Sequence, residues 1–81
     1  MSWFVYILKC SDDTLYTGIS KDINRRISMH EQGTGAKYTK GRGPFELVYQ
    51  ESQPTMSEAL KREIQIKSLS RVEKLNLLNK R

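Results

Sequence analysis

WFVYILK, residues 3–9, is a short apolar run ending in one lysine, and LYTGIS, residues 15–20, is a second short run that mixes apolar with small polar residues. Short runs rich in aromatic and β-branched residues, bounded by turn residues, predict two strands. Ser11-Asp12-Asp13 between them is a turn signal, so the strands form a hairpin. A helical period then sets in. Ile23, Ile27 and His30 share one helical stripe behind Asp22, a good N-cap, and this helix is expected to stop near Gly33. Residues 33–43, GTGAKYTKGRG, have no apolar period and predict a basic, glycine-rich loop. PFELVYQ, residues 44–50, predicts a third strand. Thr55 and Glu58 have capping-box spacing and start a helix from Met56 to Leu69. Ser70 and Glu73 repeat that spacing and start a last helix, with Val72, Leu75 and Leu78 expected inward. The order β-β-α-β-α-α over residues 1–81 predicts one α/β domain, a three-stranded antiparallel sheet flanked by helices.

The hairpin register decides where Tyr6 and Tyr16 lie. A two-residue turn at Asp12-Asp13 puts them on opposite faces. A three-residue turn, Ser11 to Asp13, sets Tyr6 opposite Gly18 and Tyr16 opposite Leu8, with both tyrosines on one face. That register gathers Val5, Ile7, Leu15 and Ile19 on the other face as a core, so it is the expected one. Gly18 then leaves a gap beside Tyr6 where a ligand can approach closely. The plain alternative is that both phenols pack under a helix with their hydroxyls at its rim.

Charge narrows the partners. Fourteen Lys and Arg stand against nine Asp and Glu, a net charge of +5 that favours a polyanion, above all nucleic acid. Cys10 is the single cysteine and His30 the single histidine, which excludes an internal disulfide and a Cys/His zinc site. A lone cysteine fits a reducing, cytoplasmic setting. No apolar run approaches the ~18 residues of a membrane span, and MSWFVYILK lacks the features of a signal peptide. With no apolar surface stripe evident in the sequence, a monomer is expected.

Several side chains have the makings of a site. Arg26 and His30 are neighbours on the first helix surface, His30 toward the sheet, with Arg25 ~100° round and more exposed. Met56, Ala59, Leu60 and Lys67 trace one stripe of the second helix, and Glu63 falls in its middle. A carboxylate aimed at a core needs a partner: Lys67, Arg26 or a metal. One carboxylate facing a basic site suits Mg²⁺. Lys37, Lys40 and Arg42 with Tyr38 among them suit a nucleic-acid backbone and a stacked base. Each also has an ordinary reading, as a satisfied histidine, a surface cation or a solvated loop.

Taken in order, VYI at 5–7, YTG at 16–18, NRR at 24–26, His30 and Glu63 resemble the GIY-YIG nuclease superfamily. GAKYT at 35–39 and LKREIQIKSLSRVEK at 60–74 resemble its small stand-alone bacterial UPF0213 branch, itself similar to the nuclease subunit of a eukaryotic structure-specific endonuclease. The resemblance implies a metal-dependent endonuclease acting on DNA, at branched, flapped or damaged structures rather than at a sequence. Tyr16, or Tyr6 beside it, would activate a water. Arg26 would bind the scissile phosphate, His30 would assist proton transfer or hold the phosphate, and Glu63 would hold one Mg²⁺ or Mn²⁺. A phenol of pKa ~10 acting as base near pH ~8 needs ~2.7 kcal/mol in favour of the phenolate, with Arg26 and the metal as available causes. Val5 and Thr17 depart from the motif's glycine and isoleucine, and Ile19 stands where some members carry a lysine. RNA is also compatible, since nothing here reads a 2′-hydroxyl. Two rivals follow: a nucleic-acid-binding module without catalysis, and a subunit active only when a protein partner presents the DNA.

Overall fold

The computed structural model describes residues 2–79, with the side chains of Tyr38 and Asn79 outside the description. The elements are β1 (Trp3–Lys9), β2 (Leu15–Ser20), α1 (Ile23–Glu31), a short 3-10 turn over Lys37–Thr39, β3 (Glu46–Gln53), α2 (Met56–Lys67) and α3 (Arg71–Asn79). The order is the expected β-β-α-β-α-α. All strands are antiparallel in the spatial order β2-β1-β3, so β1 is the central strand.

The hairpin closes through the three-residue turn. Asp13 N–H donates to the Cys10 carbonyl at 3.0 Å, and Cys10 N–H to the Thr14 carbonyl at 2.9 Å. Asp13 takes the left-handed conformation this turn requires, φ 66°, which aspartate tolerates. Tyr6 therefore pairs with Gly18 and Leu8 with Tyr16.

Both faces of the sheet are covered. Val5 and Ile7 pack against Ala59 and Ile66 of α2, with Leu77 and Leu78 of α3 closing the edge of that core. Tyr6 and Leu8 pack on the opposite face against Ile23 and Ile27 of α1. The tyrosine face is thus a second core. In β3 the pairing shifts from Ile7–Tyr49 to Leu8–Leu47, leaving Val48 as a bulge. The bulge lets Val48 and Tyr49 both serve the α2 side, while Leu47 serves the other.

Three expectations are corrected. The third strand begins at Glu46 rather than at Pro44, because proline has no N–H for a ladder. Val72 and Leu75 are exposed, and of the expected α3 stripe only Leu78 packs inward, beside Leu77. Steps of three drift backwards round a helix, so residues 72, 75 and 78 do not hold one face. On α2 the inward stripe is Ala59, Glu63 and Ile66, while Met56, Leu60 and Ile64 are exposed. The surface therefore does carry an apolar stripe.

The caps are the ones the sequence encodes. Asp22 accepts from Arg25 N–H at 3.1 Å, and Thr55 from Glu58 N–H at 3.1 Å. Ser70 and Glu73 complete a reciprocal capping box. A polar clamp ties α2 to β3: Glu51 accepts from Arg62 at 3.0 Å, Tyr49 at 2.5 Å and Gln53 at 2.6 Å. Burial pushes the Glu51 carboxyl up, but these three donors outweigh it and hold it below the usual carboxylate range. Arg62 immediately precedes Glu63, so the clamp also fixes the turn of helix that carries Glu63.

Ile66 is fully buried and Ile64 is 67% exposed, two residues apart on one helix. Ile66→Ala is expected to cost ~2–5 kcal/mol in urea unfolding, and Ile64→Ala within ~0.5 kcal/mol. Equal losses would contradict this phase of α2.

Candidate active site

Tyr6 lies at the centre of the site. Its place on the middle strand puts the ring under α1, where it is 1% exposed. Gly18 makes that possible. A β-carbon there would stand 2.7 Å from the Tyr6 hydroxyl oxygen and 3.1 Å from the Tyr16 ring. The expected gap beside Tyr6 exists, but Tyr6's own phenol fills it.

His30 meets this phenol from α1. The helix ends in a Schellman motif: Gly33 N–H donates to the His30 carbonyl at 3.0 Å and Thr34 N–H to Met29 at 2.9 Å, with Gly33 at φ 78°. The chain then folds back across the imidazole. Gly35 lies so close that a β-carbon would sit 2.4 Å from Nδ1. The 3-10 turn that follows delivers Thr39 to the same ring.

The hydrogen bonds form a chain whose proton positions can be deduced. Thr39 Oγ1 donates its only proton to the Ala36 carbonyl at 2.8 Å. At 2.7 Å from His30 Nδ1 it must then accept, so Nδ1 carries the hydrogen. A neutral imidazole with hydrogen on Nδ1 has an acceptor at Nε2. Tyr6 Oη stands 3.0 Å from Nε2 and donates to it. Its lone pairs remain, and the Arg26 guanidinium hydrogen-bonds to them. His30 and Thr39 are each 1% exposed. Among the described residues no buried side-chain polar atom lacks a partner.

The same arrangement sets the electrostatics. The Tyr6 phenol is pushed up to about 12, chiefly by burial, with the bond and charge of Arg26 opposing the rise and the charges of Tyr16 and Glu63 adding to it. Tyr6 is therefore a neutral phenol at physiological pH. A lowered phenol pKa, which a free-standing tyrosine base needs, is not found at Tyr6, because desolvation outweighs the cation. His30 is held below its ordinary value, first by burial and then by Arg26. It too is neutral near pH 7.

Tyr16 is half-buried beside them, its ring centroid 5.2 Å from that of His30 and 6.4 Å from that of Tyr6. Of the two phenols it is the one with an approach from solvent. Glu63 stands on α2 and acts on Tyr6 through its charge. Its side chain is 17% exposed, and Lys67 Nζ lies 3.4 Å from its carboxylate, one of the pairings the sequence allowed. Among the described residues no three His, Cys, Asp or Glu side chains gather as a metal cage. A single carboxylate is still a fitting donor for Mg²⁺ or Mn²⁺, which take few protein ligands and fill the rest with water and phosphate oxygens.

Tyr6, Tyr16, Arg26 and His30 are thus one group, and Glu63 bears on it from α2 through its charge on Tyr6. The basic loop is more divided. Lys37 and Lys40 are exposed on either side of Thr39. Arg42 pairs with Asp12 and accepts from Ser11 N–H at 2.8 Å through its carbonyl, fastening the loop to the hairpin turn. The side chain of Tyr38 lies outside the described residues. Thr39 and Gly35 were missed as site residues. They sit in the GAKYT stretch, but nothing in a loop without a period marks one threonine as a histidine's partner.

The sequence matches the GIY-YIG catalytic domain family over residues 2–76, nearly the whole chain. This chain belongs to the GIY-YIG family, a class that points to nuclease chemistry on nucleic acid. Within that class its relatives are UPF0213 proteins. One from Staphylococcus aureus strain Mu3 is 59% identical, covering 99% of this chain and 98% of its own. The solution NMR structure of the UPF0213 protein BH0048 from Bacillus halodurans superposes with a TM-score of 0.64 at 48% identity, covering 98% of this chain and 84% of that one. That of EF2693 from E. faecalis gives 0.64 at 35% identity, covering 95% and 83%.

A histidine whose folded pKa is depressed contributes stability that is present above its unfolded value and lost as pH falls through the folded one. Wild type is therefore expected to lose stability below pH ~6.5 more steeply than His30→Gln. Urea unfolding at stepped pH checks this; parallel profiles would contradict a neutral, buried His30.

Proposed function

We propose that this domain is a metal-dependent endonuclease that hydrolyses DNA phosphodiesters, selecting branched, flapped or damaged structures by shape. What supports the reading is the convergence on Tyr6. His30 and Arg26 hydrogen-bond its hydroxyl, Tyr16 packs beside its ring, and Glu63 acts on it through its charge. A packing tyrosine requires none of this. Burying polar groups costs stability unless they are fully bonded, and here the bonds terminate at a cation on one side and at a backbone carbonyl on the other.

Each residue has a role in the hydrolysis. Arg26, held by the Tyr6 oxygen, binds the scissile phosphate and stabilises the charge that develops on it. Tyr16 takes the proton of the attacking water. The water oxygen bonds to phosphorus as the bond to the leaving oxygen breaks. Tyr6 and His30 orient Arg26 rather than touch the water, because both are closed off from solvent. Glu63 would hold a single Mg²⁺ or Mn²⁺, which polarises the phosphate and stabilises the leaving oxygen. Without a metal, Lys67 neutralises that carboxylate. Lys37 and Lys40 extend the contact along the backbone. Specificity for substrate structure comes from shape or from a protein partner.

The test is cleavage of labelled duplex, flap and four-way-junction DNA with Mg²⁺ or Mn²⁺. Tyr16→Phe is expected to lower the rate by ~10²–10⁴-fold, Arg26→Ala by ~10²–10³-fold, and Glu63→Ala to abolish metal stimulation, all with unchanged unfolding curves. DNA binding by wild type without cleavage under any metal would favour the binding module. Full activity in Glu63→Ala would remove the metal from the reading.

A further inference from the structure

Arg26 has a second environment. On the side of α1 toward the start of β1 it lines a cleft of about 320 Å³ together with Trp3, Lys21, Asp22, Arg25 and Met29. The cleft is basic. Three cations face one carboxylate, and that carboxylate is engaged in capping α1. It is also aromatic. Trp3 is partly buried with its base against the α2-side core, and the Lys21 ammonium sits 5.3 Å from the indole centroid. Lys21 and Arg25 are exposed.

We infer that this cleft is a nucleotide subsite beside the cleaved phosphate, taking one unpaired nucleotide with its base on Trp3 and its phosphate between Lys21 and Arg25. The inference rests on the proposed nuclease reading for the word "cleaved", but the binding itself does not need catalysis. An indole with a cation over it already presents the negative face that stacking uses. A base that takes the ammonium's place releases Lys21 to the phosphate. Aromatic stacking alongside cations is how single strands are held without sequence readout. The volume lies at the lower end of ligand clefts, enough for one nucleotide. A base stacked here has left its duplex, so the subsite favours flaps and single-stranded junctions over continuous duplex. Arg26 joins the two regions: it reaches the Tyr6 hydroxyl and lines the cleft.

Trp3 is the only tryptophan in the chain, so its emission reports on the cleft alone. The experiment titrates a short fluorescein-labelled oligothymidylate into the protein with EDTA present, following Trp3 emission and label anisotropy together. Saturable quenching is expected with the single strand and much less with a blunt duplex. Lys21→Glu, Arg25→Glu and Trp3→Leu should each weaken binding by about tenfold. Trp3→Phe, which keeps a stacking ring, should retain most of the affinity, and Glu63→Ala should retain the quenching. Lys61→Glu, an exposed change of equal charge on α2, should have little effect. Oligonucleotide binding with unchanged Trp3 emission, or equal losses in Lys61→Glu and Arg25→Glu, would overturn the subsite while leaving the cleavage assay to judge the nuclease. Quenching without cleavage by any metal would uphold the subsite and sink the nuclease.

Discussion

A buried imidazole has two nitrogens to satisfy and no water to satisfy them. Everything that characterises this site follows from how His30 meets that constraint. One nitrogen is supplied by Thr39 from the loop after α1, the other by Tyr6 from the central strand. Leaving either unmade would cost ~1–3 kcal/mol. The chain therefore ties three separate parts of the fold to one ring. Two glycines provide the space, Gly18 for the phenol and Gly35 for the imidazole. The direction of the chain matters as much as its existence. Because Thr39 gives its proton to a carbonyl, every proton upstream points the same way, and the Tyr6 oxygen is left to accept from Arg26. A structural hydrogen bond in a loop thus reaches Arg26, the cation we propose to hold the scissile phosphate.

The two tyrosines that share a face divide the work. Tyr6 is closed off, neutral and held on all sides. Tyr16 is the half-exposed partner. Glu63 is the counterweight on the other helix, a carboxylate kept in an apolar stripe and attended by Lys67. Such a charge is costly in a protein that only packs or only binds a polyanion. In a site that meets phosphate through a divalent ion it has a use. The polar clamp of Glu51, Tyr49 and Arg62 holds the neighbouring turn of α2 against β3, so the carboxylate is carried on a fixed element rather than a free one.

Much of this was legible in the sequence wherever a period or a cap fixed the geometry. The three-residue hairpin turn followed from requiring one apolar face, and it placed Tyr6, Gly18 and Tyr16 together. The N-caps Asp22, Thr55 and Ser70 marked their helices, and Glu63 was already visible as a charge in an apolar stripe. The phase of α3 was not legible, because Val72, Leu75, Leu77 and Leu78 offer apolar residues on more than one side. The bulge at Val48 arises from sharing apolar residues between two cores, and the second core was legible only as the plain alternative, both phenols packing under a helix. Thr39 was hidden for a different reason. Its role is a tertiary contact made by a loop, and a loop has no repeat from which to infer a facing surface.

The central claim concerns one proton, the hydrogen on His30 Nδ1. Long-range ¹H–¹⁵N NMR of the single histidine distinguishes the tautomers directly at neutral pH. The account predicts a neutral ring with Nδ1 protonated and Nε2 bare, and a shift toward the other tautomer in Thr39→Val. A ring protonated at Nε2 in wild type, or an imidazolium near pH 7, would contradict it, because Tyr6 would then have no acceptor there and no reason to turn its lone pairs toward Arg26.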